Sequence, residues 1–221
     1  WTNRFSSELR LGTKDVENRQ VSVNSDTPDF SIAFAPFGAT RIGAGGDRFR
    51  HANELDNESD LLRIRGDYQL GNHLFTGGFE REKYTVRNEF LPFSKGNYVF
   101  FSLDDLENRN VGYVLYGNSN TGVAKDAESN FSLAVDSLYA QDEWTAGENF
   151  TLKLGLRYDK YQNDDEIVYN QYFAARNGFS NQENLDGKDL LLPRLGFSWT
   201  PNEKLTIHGG AGLFGGGTPL L

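Results

Sequence analysis

The side chains best suited to acid–base or metal chemistry near neutral pH are three histidines, His51, His73 and His208, and with no cysteine in the chain there is no thiolate to join them. None has a second histidine or a carboxylate at ligand spacing on the same strand face, so no metal site is expected. No nucleophile, base and orienting acid are grouped, and no catalytic residue, cofactor or enzymatic activity is assigned. The acidic clusters Asp104-Asp105, Asp164-Asp165-Glu166 and Asp186-Gly187-Lys188-Asp189 lack the ligand spacing of a calcium loop and read as solvated loop. Gly43-Ala44-Gly45-Gly46 and Gly215-Gly216-Gly217 lack the Lys-Ser/Thr that follows a phosphate-binding loop.

What remains is a set of cations placed at alternate positions: Arg63, Arg65, Lys153, Arg157 and Arg194. Such charges could contact a substrate or another part of the protein, and pairing with Asp67, Asp136 and Asp159 is the stronger expectation. Aromatic residues in polar segments, among them Tyr98, Phe100, Phe101, Tyr113, Tyr116, Tyr169, Tyr172 and Phe173, suit either a ligand grip or loop packing.

The elements that carry the cations are amphipathic strands. Phe150, Leu152, Leu154, Leu156 and Tyr158 alternate with Thr151, Lys153, Gly155, Arg157 and Asp159, a period of two that no helix produces. Phe131 to Trp144 has a similar face, and the short Thr145–Asn149 break makes the pair an antiparallel hairpin. Further hairpins are expected near 61–86, turning at Gly71-Asn72, and near 190–214, turning at Thr200–Glu203; Phe5, Leu9 and Leu11 mark an opening strand. Long polar segments lie near 12–60, 87–130 and 162–189, with local structure limited to the Phe30–Phe37 run and a short helix capped by Ser102.

This gives about seven strands joined alternately by short turns and long segments, the rhythm of an outer-membrane barrel with short periplasmic turns and long outer loops. Strands of about ten residues match the roughly 9–11 needed to cross a bilayer, and Tyr139, Trp144, Tyr158 and Trp199 are placed for an aromatic girdle. No apolar run reaches the roughly 18 residues of a membrane helix. A net charge of −9 without a basic cluster argues against a nucleic-acid partner. The fold expected is all-β: part of an antiparallel transmembrane β-barrel in the bacterial outer membrane, with lipid as one partner. With no Met and a first residue already inside a strand, the chain reads as a mature product or a piece of something longer.

The segment LYAQDEWTAGENFTLKLGLRYDKY, followed by LPRLGFSWTPNEKLTIHGGAGLFGGGTP and preceded by FFSLDDLENRN, resembles the barrel of TonB-dependent outer-membrane receptors, closest to the Oar-like branch. The resemblance implies a plugged barrel of roughly 22 strands, energised through TonB and importing or passing a bulky ligand. Seven strands cannot close such a barrel, so the partners implied are the rest of its own barrel, a plug, and TonB through that plug. On the residues alone two alternatives stay open: a passive porin-like or adhesin-like barrel, and a soluble surface β-sandwich that binds partners.

Overall fold

The computed structural model describes residues 1–33 and 41–216. The Phe30–Phe37 run is therefore described only as far as Ala33, and Gly217 and Pro219 also lie outside the described residues. In chain order the strands are β1 (Phe5–Arg19), β2 (Asp29–Ala33), β3 (Arg41–Gly45), β4 (Asn53–Leu70), β5 (His73–Phe90) and β6 (Asn97–Phe100). They continue as β7 (Tyr113–Leu115), β8 (Ser129–Thr145), β9 (Phe150–Gln162), β10 (Asp189–Asn202) and β11 (Leu205–Gly212), with short helices α1 (Leu103–Glu107) and α2 (Gln171–Asn177).

A seven-stranded sheet has the order β1-β4-β5-β8-β9-β10-β11, and a four-stranded sheet has the order β3-β2-β6-β7. The chain divides into two compact units: one of Trp1–Lys14, Ser59–Tyr84 and Ser132–Leu221, the other of Asp15–Glu58 and Thr85–Phe131.

In the first unit the register of β8, β9 and β10 is continuous and antiparallel, with Tyr139 opposite Arg157, Gly155 opposite Arg194, and Ala140 opposite Leu156. Facing residues share a side of the sheet, so the register sorts every side chain. One face carries Ser137, Tyr139, Gln141 and Glu143, then Asp159, Arg157, Gly155 and Lys153, then Arg194, Gly196 and Ser198. The other carries Leu138, Ala140 and Trp144, then Leu152, Leu154, Leu156 and Tyr158, then Leu191, Pro193, Leu195, Phe197 and Trp199.

Among the described residues nothing covers that apolar face: Leu138 is 58% exposed, Leu154 46% and Leu156 47%. A β-sandwich would bury these side chains against a second sheet. Leaving a leucine half out of any apolar medium forgoes about 1 kcal/mol, which hydrocarbon restores.

The apolar band has edges. From Phe150 to Tyr158 there are eight residue steps, about 27 Å along the strand at about 3.4 Å each, enough for a tilted strand to cross a bilayer. At the turn end, Phe150 and Phe197 stack at 6.4 Å, with Trp144 and Trp199 on the same face. At the other end the same face becomes polar: Arg81 donates to both Asp136 oxygens at 3.0 Å, and Gln162 donates to Asp136 at 2.7 Å.

Two expectations are corrected here. Asp136 is no partner for the cations of the polar face, because it sits on the apolar side's parity beyond the band. Tyr139 is no girdle residue: it faces the polar side, its ring lying over Gly78, where an added Cβ would come 2.5 Å from both its hydroxyl and the Ile64 carbonyl.

The turns are short because their residues permit it. Gly71 (φ 57°) and Gly147 (φ 78°) adopt the left-handed conformation that glycine takes without penalty. Successive turns are tied together by Thr145 N–H to the Asn72 carbonyl at 2.9 Å and Thr200 N–H to the Asn149 carbonyl at 2.8 Å.

The second unit was legible only in part. β4 and β5 run 18 residues each, well past the roughly 9–11 a membrane needs: β4 begins inside the 12–60 segment expected to be loop, and β5 runs on through the charged stretch EREKYTVRNEF to Phe90, a continuation that stretch allows. Their extensions lack alternation because charges hold them: Arg87 binds Asp56 and Glu128 at 2.7 Å and Glu54 at 3.3 Å. The four-stranded sheet was not foreseen. It pairs β2 parallel with β6 and antiparallel with β3, around a core of Ile32, Val99 and Phe100. Within it Asn97, fully buried, donates to Ser31 Oγ at 3.2 Å and accepts from Arg48 at 3.3 Å.

The helices follow their caps. Ser102 accepts the Asp105 N–H at 3.0 Å and donates to its carboxylate at 2.7 Å. Asn170 accepts from Tyr172 and Phe173, and Gly178 (φ 78°) ends α2.

Two predictions follow from burial and side. Leu156→Arg on the apolar face should cost about 2–4 kcal/mol of folding into vesicles, read by denaturant titration, whereas Lys153→Gln on the polar face should cost under about 1 kcal/mol. The second concerns His51, whose Nδ1 accepts the Lys95 N–H at 3.3 Å. Burial, with the nearby Lys95 charge, lowers its pKa below the usual 6.5. The unfolded chain therefore takes up the proton first. Stability should be complete above about pH 6.5 and decline as pH falls from there through the folded value. Faster amide exchange at Lys95 below pH 6.5 than above it, after correction for intrinsic rates, is the expected readout.

Candidate functional site

On the polar face of the first unit, four of the five cations expected from sequence come together. Arg63, Arg65, Arg157 and Arg194 line a concavity of about 250 Å³ with Glu80, Tyr139 and Gln141. Lys153 stands apart, paired with Glu143 at 2.9 Å across the β8–β9 ladder near the turn.

The concavity is organised by one carboxylate that sequence reasoning missed. Glu80 is 6% exposed and accepts from Arg63 at 2.6 Å through one oxygen and from Arg157 at 3.4 Å through the other. Arg157 also donates to Asp159 and to Ser137 Oγ, each at 2.7 Å. Beside this chain of charges Arg65 donates through Nε and Nη2 to Asp67, which also accepts from Thr76 at 2.6 Å.

Glu80 was hidden in the charged run Glu80–Lys83, where no apolar alternation shows which way it points. Its even spacing from Thr76 and Gly78 was the available signal, since period two puts all three on one face. Asp67 and Asp159 do pair with cations of this face.

Arg194 differs from the other three. Among the described residues it has no carboxylate partner; its guanidinium lies 4.9 Å over the Phe214 ring. Its directly opposite residues are Gly155 on β9 and Gly212 on β11, neither of which carries a side chain.

On the apolar side, near the turn end, His73 Nδ1 lies 2.9 and 3.2 Å from the Asp142 oxygens. Its ring stacks between Phe75 at 5.6 Å and Trp144 at 5.7 Å, a polar pair in an aromatic layer that suits the membrane–water interface. His208 faces Ser198 across β10–β11 and is 3.5 Å from its hydroxyl.

The acidic clusters serve local structure. Asp105 accepts the hydroxyl of the α1 cap Ser102 at 2.7 Å, Asp165 accepts the Ser132 N–H at 2.7 Å, and Asp186 accepts the Asn163 N–H at 3.1 Å. The Ser102 hydroxyl, and then Asn110, hold the Asp105 carboxyl below its ordinary pKa. Four of the eight loop aromatics pack on another ring: Tyr98 with Phe30 at 5.7 Å, Phe101 with Tyr113 at 6.1 Å, and Phe173 with Phe179 at 5.4 Å. Tyr116 and Tyr172 are exposed at 65% and 78%.

Because Glu80 holds two guanidiniums from different strands, Glu80→Gln should destabilise the first unit by about 1–3 kcal/mol, the cost of leaving buried charge partners unmatched. A double-mutant cycle of Glu80→Gln with Arg157→Gln should return a coupling above about 0.5 kcal/mol; strict additivity would contradict the bridge.

No curated protein matches the chain. Among solved structures it is similar to the copper transporter OprC, at 12% identity and a TM-score of 0.49, covering 94% of this chain and 27% of that one. It is also similar to the outer membrane transporter YddB of Escherichia coli, at 14% identity and a TM-score of 0.45, covering 90% of this chain and 22% of that one. The chain thus spans about a quarter of the length of each. Residues 2–220 match the model of the outer membrane beta barrel domain. With two faces suited to two solvents and a match along nearly its whole length, the chain belongs to the outer membrane beta barrel domain family and is a wall segment of a barrel in the bacterial outer membrane.

Proposed function

We propose that this wall segment belongs to a TonB-dependent outer-membrane transporter or receptor, of the Oar-like branch, that imports or passes a bulky ligand. The observation that carries the reading is the polar face. Arg63, Glu80, Arg157 and Asp159 form a continuous charge network on the side away from the apolar band, as a water-filled or plug-filled lumen requires. The strand-turn-strand motif LYAQDEWTAGENFTLKLGLRYD and its companion hairpin add the TonB-dependent character, and the long segments between hairpins supply outer loops large enough to receive a bulky ligand. In this reading the chain carries no chemical step: it is scaffold and lumen lining, and the energy for passage enters through a plug and TonB.

A passive pore would present a similar wall, so permeability separates the two. Liposomes carrying the full-length protein should show no swelling in small sugars such as arabinose, and the purified periplasmic domain of TonB should bind the detergent-solubilised protein. Free diffusion of arabinose together with no TonB binding would replace the energised reading with the porin-like one.

A further inference from the structure

Arg194 and the concavity it shares with three other guanidiniums carry the inference furthest. A guanidinium offers five N–H donors and no acceptor, so each one needs oxygen. Arg157 spends donors on Glu80, Asp159 and Ser137, and Arg65 spends two on Asp67. Arg63 spends a single one, on Glu80, and Arg194 spends none on any described residue.

The surroundings of Arg194 are equally uneven. Gly155 and Gly212 flank it in register, and Gly196 and Gly210 face each other two residues along the same side. Glycines on the face of a strand leave the surface low and open to close approach by another group. The Phe214 ring holds the guanidinium from one side and leaves its edge donors directed elsewhere. Gln141, opposite Gly155 on β8, adds an amide to the same concavity. A volume of about 250 Å³ is smaller than a whole-ligand pocket but holds one anionic group.

We infer that Arg194, with Gln141 across Gly155, forms an anion subsite on the polar wall, taking a carboxylate or phosphate group of the passing ligand. The glycine floor gives the group access, Arg194 supplies a fork matched to two oxygens, and the Gln141 amide supplies a neutral donor beside it. Glu80 is held by Arg63 and Arg157, so among the described residues it does not compete with an incoming anion for Arg194. This rests on the polar face being the lumen wall, as proposed above.

The test uses the full-length protein in detergent, titrated calorimetrically with citrate as the carboxylate probe and inorganic pyrophosphate as the phosphate probe. At least one should bind, more weakly as salt rises, and Arg194→Gln should weaken it about tenfold, as expected for losing a bidentate charged contact. Arg194→Lys should recover only part of the loss, and Lys160→Gln, on the opposite face of β9, should bind as the parent does. Binding of both probes unchanged by Arg194→Gln, or absent from a protein that still shows heat-modifiable migration, would overturn the subsite. Loss of heat-modifiable migration and of detergent dependence in the parent would instead overturn the membrane-wall reading beneath it.

Discussion

A strand that crosses hydrocarbon must have every backbone N–H and C=O bonded inside the protein, because the medium offers no partner. The ladder from Ala134 opposite Gln162 to Thr145 opposite Thr151, continued by Asp189 opposite Lys160 to Trp199 opposite Phe150, meets that demand without a break. Once the ladder is fixed, side chains have no freedom of side. Each residue points to lipid or to the polar interior according to its parity, and a slip of one residue would put Arg157 where Leu156 stands.

The charge network on the polar face is the second consequence of that register. Arg63 comes from β4, Glu80 from β5, and Arg157 with Asp159 from β9, with Ser137 of β8 between them. These groups meet only because strands distant in sequence are neighbours in the sheet. Glu80 has little solvent of its own and therefore depends on its two guanidiniums. Arg194 sits in the same concavity without such a partner, among glycines, and it is this imbalance rather than the number of arginines that marks it.

In the second unit stability has another source. The four-stranded sheet has its own small core, Ile32, Val99 and Phe100, and a buried Asn97 whose amide is satisfied by Ser31 and Arg48. The described residues of this unit are thus folded rather than slack, with Arg87 holding three carboxylates.

By itself the sequence determined what period two can encode: the hairpins around Gly71-Asn72, Thr145–Asn149 and Thr200–Glu203, the apolar and polar faces of β9 and β10, and the Ser102 cap of α1. These are local properties, set by alternation, turn chemistry and side-chain reach within a few residues. Tertiary structure decided what needs neighbours. It moved Asp136 to the far edge of the apolar side and Tyr139 onto Gly78, and it carried β1 on to Arg19 and β4 back to Asn53 through a segment read as loop. It also joined β2 to β6 across a long separation in a sheet with no sequence signature, and it made Glu80 the centre of the polar wall. The physical reason is the same throughout: which charges pair, and which stay open to a ligand, depends on cross-strand register between segments tens of residues apart.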